Sequence, residues 1–164
     1  MAWVGSTVTA QVLGLLGGSQ GLNACVSTLA LAENMSLPPV GPSQLLAQNV
    51  SIELAERSMD VKYPAVSVYC EKITNQLKEK FRNFSGNALM AIEVRVSQDR
   101  LEGIAEQIQL YLDAVTQVLD QNRGDWGEGM YYGGGYEAAF GPVKHGGLNF
   151  IQVAKVTFNV GVSD

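Results

Sequence analysis

A chain of 164 residues with 46% apolar side chains is the size of a single domain and long enough to bury a core without covalent staples. A net charge of −5 speaks against a face that grips nucleic-acid phosphates, and no apolar run approaches the ~20 residues of a membrane span. Cys25 and Cys70 are too few and too scattered for a disulfide framework or a metal site, and read as two reduced, buried thiols. Only 16% of residues are charged, a sparse surface that suits a protein covered by neighbours. The opening Met1-Ala2-Trp3-Val4-Gly5 shows neither a basic leader nor a signal core, so use in the cytoplasm, or in something assembled there, is expected.

In chain order, Ser6 is expected to cap a short helix carrying Val8, Val12, Leu15 and Leu16 and ending at Gly17-Gly18. Ser19 opens a second, with Leu22, Cys25, Val26, Leu29 and Ala30 on one face, and the two form a helical hairpin. Leu37-Pro38-Pro39-Val40-Gly41-Pro42 breaks regular structure, because proline lacks a donor and fixes its backbone. Val50, Ile52 and Leu54 alternate with Ser51, Glu53 and Ala55 and predict a first strand, followed by a charged loop over Glu56 to Lys62. A second strand starts at Tyr63-Pro64, with Val66, Val68 and Cys70 inward and Ser67, Tyr69 and Glu71 outward. Ile73 to Arg82 is ambiguous: Ile73, Leu77 and Phe81 share a helical face, and Lys78, Lys80 and Arg82 hold much of the positive charge.

The unit on which the chain turns comes next. From Ala88 to Val96, Met90, Ile92, Val94 and Val96 fall on one face and Leu89, Ala91, Glu93 and Arg95 on the other, the period of a half-buried strand. Over about residues 99–122, Leu101, Ile104, Ala105, Ile108, Tyr111, Leu112, Val115, Val118 and Leu119 draw one apolar helical stripe. Asp99 and Glu102 have the spacing of a capping box, and Gly124 can take the left-handed turn that ends a helix. Gly124 to Gly147 holds nine of the 18 glycines, interleaved with Trp126, Tyr131, Tyr132, Tyr136 and Phe140. A final strand runs from Asn149 to Val162, with Ala154, Val156, Phe158, Val160 and Val162 opposite Lys155, Thr157 and Asn159. The order predicts an α+β fold: a mostly antiparallel sheet, one long helix packed on one face, and an N-terminal helical extension.

Little here resembles a catalytic constellation. His145, the only histidine, sits in Lys144-His145-Gly146-Gly147 and reads as a surface turn residue; zinc would need carboxylates alone. Asp125 and Glu128 flank Trp126, but nothing fixes their separation, and loop acids are ordinarily solvated. Gly17-Gly18-Ser19-Gln20-Gly21 lacks the Lys-Ser or Lys-Thr of a phosphate loop, and Gly133-Gly134-Gly135 lacks the strand–turn–helix setting. No catalytic residue, metal ligand or cofactor is assigned. The glycine–aromatic stretch has two readings: a lid folded over the sheet, or ring surface that meets a partner.

Tyr63-Pro64-Ala65-Val66-Ser67-Val68-Tyr69-Cys70, then Ser85-Gly86 before Ala91-Ile92-Glu93-Val94-Arg95-Val96, resembles the tail terminator (tail completion) proteins of long-tailed bacteriophages. So do Gly124-Asp125-Trp126-Gly127, Tyr131-Tyr132-Gly133-Gly134 and the run Phe140-Gly141-Pro142-Val143-Lys144-His145-Gly146-Gly147-Leu148-Asn149-Phe150. The likeness covers Tyr63 onward, and leads to a division into a helical extension at 1–48 and a tail-terminator-like domain at 49–164. It implies a non-enzymatic virion protein at the head–tail junction, assembled in the host cytoplasm. Its partners would be copies of itself in a hexameric ring, the tail tube protein and the head–tail connector or neck proteins, with DNA passing through the lumen unheld and no membrane. Asp125, Trp126, Tyr131, Tyr132, Tyr136, Lys144 and His145 are the expected subunit or partner contacts. The alternatives are a neck or head-completion protein one layer nearer the capsid and, in a different class, a small-ligand-binding domain using the loop from Trp126 to Tyr136.

Overall fold

The computed structural model describes residues 3–50 and 61–164. The predicted first strand at 50–55, apart from Val50, and most of the charged loop after it therefore lie outside the described residues.

The backbone is organised by two long antiparallel strands. Counting in chain order, β1 is Leu45–Leu46, β2 Ala65–Asn75, β3 Ser85–Gln98, β4 Gly124–Gly127, β5 Met130–Tyr132, β6 Glu137–Phe140, β7 Lys144–Gly146 and β8 Asn149–Ser163. β3 pairs with β8 over 14 residues, from Ser85 opposite Ser163 to Gln98 opposite Phe150, a ladder roughly 45 Å long. β2 adds antiparallel to β3 with a bulge between Cys70 and Lys72, and β1 adds parallel to β2. On its other side β8 takes β5, β6 and β7 in succession, and β4 pairs with β5. The sheet is thus mixed, and antiparallel everywhere except at β1 among the described residues.

The alternation read in β3 holds. Met90, Ile92, Val94 and Val96 are buried, in one cluster with Val66 and Val68 of β2 and Ala154, Val156, Phe158, Val160 and Val162 of β8. Two helices bury their apolar stripes against that face, α1 (Val4–Gly17) and α3 (Ile104–Gln121), and α2 (Leu22–Ala32) packs on α3 and α1. The fold class is α+β as expected. The cover, however, is shared: Val4, Val8, Val12 and Leu16 of α1 and Leu22, Cys25 and Val26 of α2 enter the same cluster as the α3 stripe.

The helix ends differ from the reading by side-chain caps. α1 begins at Val4 with Trp3 at the cap, and α2 follows Gly21, so neither Ser6 nor Ser19 caps. α3 is preceded by Gly103 at φ +81, without a side-chain cap, and the Asp99–Glu102 box does not form. The side chain of Gln98 takes over this turn instead, its amide donating to the carbonyls of Arg100 and Glu102 at 2.7 Å each. Leu101 is consequently outside the helix and exposed. Gly124 does take a positive φ, +108, two residues beyond the Asn122 cap, where it opens β4.

Two further segments are corrected. Ile73 continues β2 as strand, and residues 76–84 form the β2–β3 hairpin tip, with no helix. The glycine-rich stretch is not an open loop: it folds as β4 to β7, and Lys144 and His145 lie in a strand, with the turn at Gly147.

Ile92 is fully buried at the middle of the ladder, opposite both Val68 and Val156. Ile92→Ala should cost about 2–5 kcal/mol in urea unfolding; a cost below 1 kcal/mol would show that this layer is not the core.

Candidate functional site

The structure separates the residues singled out in the glycine–aromatic stretch. Trp126 turns inward: its indole nitrogen donates to the Asn122 carbonyl at 2.6 Å, and its ring lies 5.4 Å from that of Tyr132. Tyr132 is wholly buried and meets Phe158 edge-on at 5.4 Å. This half of the stretch seals the end of the core below α3. Tyr132 is no surface contact, contrary to expectation, because β5 pairs with β8 in a register that puts Met130 opposite Val162 on the helix-covered face, and Trp126, packed against Tyr132, is half-buried. The same alternation throws Tyr131 outward, where it is 59% exposed. Asp125 is exposed and accepts a hydrogen bond from the Gly127 amide at 2.8 Å, which shapes the β4–β5 turn.

Tyr131 and Tyr136 stand over a basin of about 790 Å³ on the sheet face turned away from the helices. Glu71, Asn87, Leu89, Glu137, Thr157 and Asn159 complete most of its wall. Lys144 and His145 belong elsewhere. Their partners on β8 are Ile151 and Phe150, whereas Tyr131 faces Gly161 and Glu137 faces Thr157, so they lie roughly 20–30 Å along β8 from the basin residues. His145 packs edge-on against Phe150 at 4.9 Å. The seven expected contact residues therefore divide into an inward pair, a basin pair, an exposed turn and a distant strand.

Sequence reading missed the polar centre of this second face. Ser67, Tyr69 and Arg95, placed outward by the alternation, are 2%, 9% and 3% exposed. The Tyr69 hydroxyl donates to Glu93 at 2.6 Å, Arg95 pairs with Glu93 at 2.9 Å, and Arg95 also donates to the Val50 carbonyl. Lys155 pairs with Glu71 and lies 6.0 Å from the Tyr69 ring centre. Burial and the Glu93 carboxylate push the Tyr69 hydroxyl far above its usual range, so it holds its proton. Glu93 is engaged from both sides and is no free base. The available signal was the Glu93–Arg95 pair at mid-strand, a costly place for charge unless it is paired.

The thiols are equally quiet. Cys25 is buried and Cys70 half-buried, both are free, and burial raises both above the usual thiol range. Among the described residues no group of three His, Cys, Asp or Glu side chains is placed to hold a metal ion, and no helix is long and apolar enough to cross a membrane.

Large apolar side chains left in water are the other feature. Phe81 is 104% and Leu77 63% exposed at the β2–β3 tip, and Leu148 is 94% exposed in the β7–β8 turn. These lie beyond opposite ends of the β3–β8 ladder, since the tip joins at Ser85 and the turn at Asn149. Trp3 and Leu31 are also exposed, on α1 and α2. No protein-family model matches the chain, and no curated protein matches its sequence.

Burial pushes the hydroxyls of Tyr111 and Tyr132 up to about 12, from about 10 for a free tyrosine. The fold prefers their neutral forms, so this contribution to stability is complete below pH ~10 and is lost as pH rises through ~12. Urea midpoints should fall across that window, and Tyr111→Phe should make the fall shallower. A flat profile in both proteins would refute this assignment.

Proposed function

We propose that this chain is a non-enzymatic virion subunit that forms a ring at the top of a bacteriophage tail tube, stops tube growth and joins the tail to the head or neck. The observation that carries the reading is the pair of apolar poles: Leu77 and Phe81 at one end of a rigid ladder and Leu148 at the other. A monomer gains nothing from such side chains in water, whereas a head-to-tail contact buries two different patches on every copy and closes into a ring when the rotation allows. The β6 edge adds to this, since all four of its residues are exposed and its only partner among the described residues is β8. The low charge and the likeness of Tyr63 onward to tail terminator proteins point the same way. Net charge −5 suits a lumen through which DNA slides unheld.

A neck or head-completion ring one layer nearer the capsid would use the same surfaces, and the identity of the neighbouring ring separates the two. The small-ligand reading is disfavoured by Trp126, which is folded into the core edge with its indole nitrogen satisfied and does not close over the basin.

Purified protein should sediment as a ring-sized assembly, or enter rings when mixed with tail tube or neck proteins, and negative-stain images should show annuli. Particles made without the protein should carry overlong or unattached tails. Tails of normal length, joined to heads in its absence, would end this reading.

A further inference from the structure

We infer that the β2–β3 hairpin tip of one copy docks in the tyrosine-walled basin on the sheet face of the next. This inference rests on the ring reading and gives it a specific contact.

The tip is a presented feature and not a slack loop. The Asn75 side chain accepts from the amides of Leu77 and Ser85 at 3.2 and 3.1 Å and donates to the Asn83 carbonyl at 3.2 Å. Glu79 accepts from the Ser163 hydroxyl at 2.7 Å, and the amides of Asn83 and Phe84 donate to the Asp164 carbonyl at 2.7 and 3.1 Å. On this tied frame Leu77 and Phe81 adopt φ +48 and +65, a left-handed conformation that bulky side chains rarely occupy. Strained backbone persists where the surroundings hold it, and here it points two apolar side chains into water.

Charge names the occupant. The tip carries Lys78, Lys80 and Arg82 on a chain whose net charge is −5. Arg82 is paired with Glu79 at 3.3 Å, while Lys78 and Lys80 have no ion pair among the described residues. A partner for them is anionic with an apolar floor. The basin supplies both: Leu89, Tyr131 and Tyr136 as apolar surface, and Glu137, itself without an ion pair among the described residues, on the wall. Glu71 adds a second carboxylate, already shared with Lys155. At about 790 Å³ the basin has room for Phe81 and Leu77 together. Tip and basin are different surfaces of one chain, so the contact is heterologous and repeats from copy to copy.

The test combines sedimentation with crosslinking of the full chain. A benzophenone amino acid at position 81 should, on irradiation, join copies at the peptide containing Tyr131 to Glu137. Phe81→Asp should weaken self-association at least about tenfold, the loss expected of a central aromatic anchor, with the far-UV spectrum unchanged because residue 81 is outside the core. Lys78→Glu with Lys80→Glu should weaken it similarly, and adding Glu137→Lys should recover part of the loss. Rings that survive Phe81→Asp overturn the docking and also take the Phe81 pole out of what supports the ring, which the rings themselves then carry. Crosslinks that map to any other surface or protein overturn the docking and leave the ring reading standing. A chain that is monomeric alone but adds to tube ends does the same. A chain monomeric in both settings overturns both.

Discussion

The register between β3 and β8 is the constraint on which the other elements depend. It sets Met90 opposite Phe158, Ile92 opposite Val156 and Val94 opposite Ala154 on one face, and Glu93 opposite Lys155 on the other. Because side chains alternate, a slip of one residue would bring Lys155 and Asn159 under the helices and expose the valines. No local turn enforces this pairing, since the two strands are separated by α3 and four short strands. The enforcement is apolar burial by α1 and α3 on a single face, with α2 packed behind them. Every other strand is then placed at second hand: β2 reads its position from β3, and β5, β6 and β7 read theirs from β8.

The opposite face is organised by polar satisfaction. Arg95 sits 3% exposed on the strand that forms the core, where Glu93 pairs with its charge and the Val50 carbonyl accepts from the same terminal nitrogen, while its Nε has no hydrogen-bond partner among the described residues. Glu93 in turn holds the Tyr69 hydroxyl, and Lys155 covers the Tyr69 ring while pairing with Glu71. This network ties three adjacent strands together through side chains, where the other face ties them through packing. The face is closed at its centre by this network and open toward the basin, where Asn87, Leu89 and Asn159 line the wall beside Glu71.

What could be read in advance follows from how many periods each element contains. β3, β8 and α3 repeat their patterns often enough that one misleading residue does not matter, and their buried sides were legible. Strands β4 to β7 have three or four residues each, so alternation has no room to declare itself, and their glycines looked like an open loop. The orientation of Trp126 and Tyr132 was hidden for the same reason: an aromatic between glycines reads alike whether it faces core or solvent, and only pairing to β8 decides. Ile73, Leu77 and Phe81 have helical spacing by coincidence, which the hydrogen bonds of Asn75 override. The start at Gly103 was missed because the helix begins there on a positive φ without any side-chain cap, while Gln98, a strand residue, holds the preceding turn by donating to the Arg100 and Glu102 carbonyls.

The exposed apolar poles raise the question of why such a chain would not simply aggregate. Phe81 is framed by Lys78, Lys80 and Arg82, so two tips repel each other before their rings can meet. The rest of the chain is acidic on balance, which would make approach of a tip to another copy favourable but unspecific at long range. Selection then falls to short range, where an apolar floor and unpaired carboxylate must coincide. Among the described hollows the basin beside Tyr131 and Tyr136 meets that requirement. The smaller one beside Arg95 and Lys144 does not, since its free charge has the same sign as the tip. In the proposed docking, charge would therefore restrict a sticky anchor to one kind of contact, the condition under which apolar exposure yields a finite assembly.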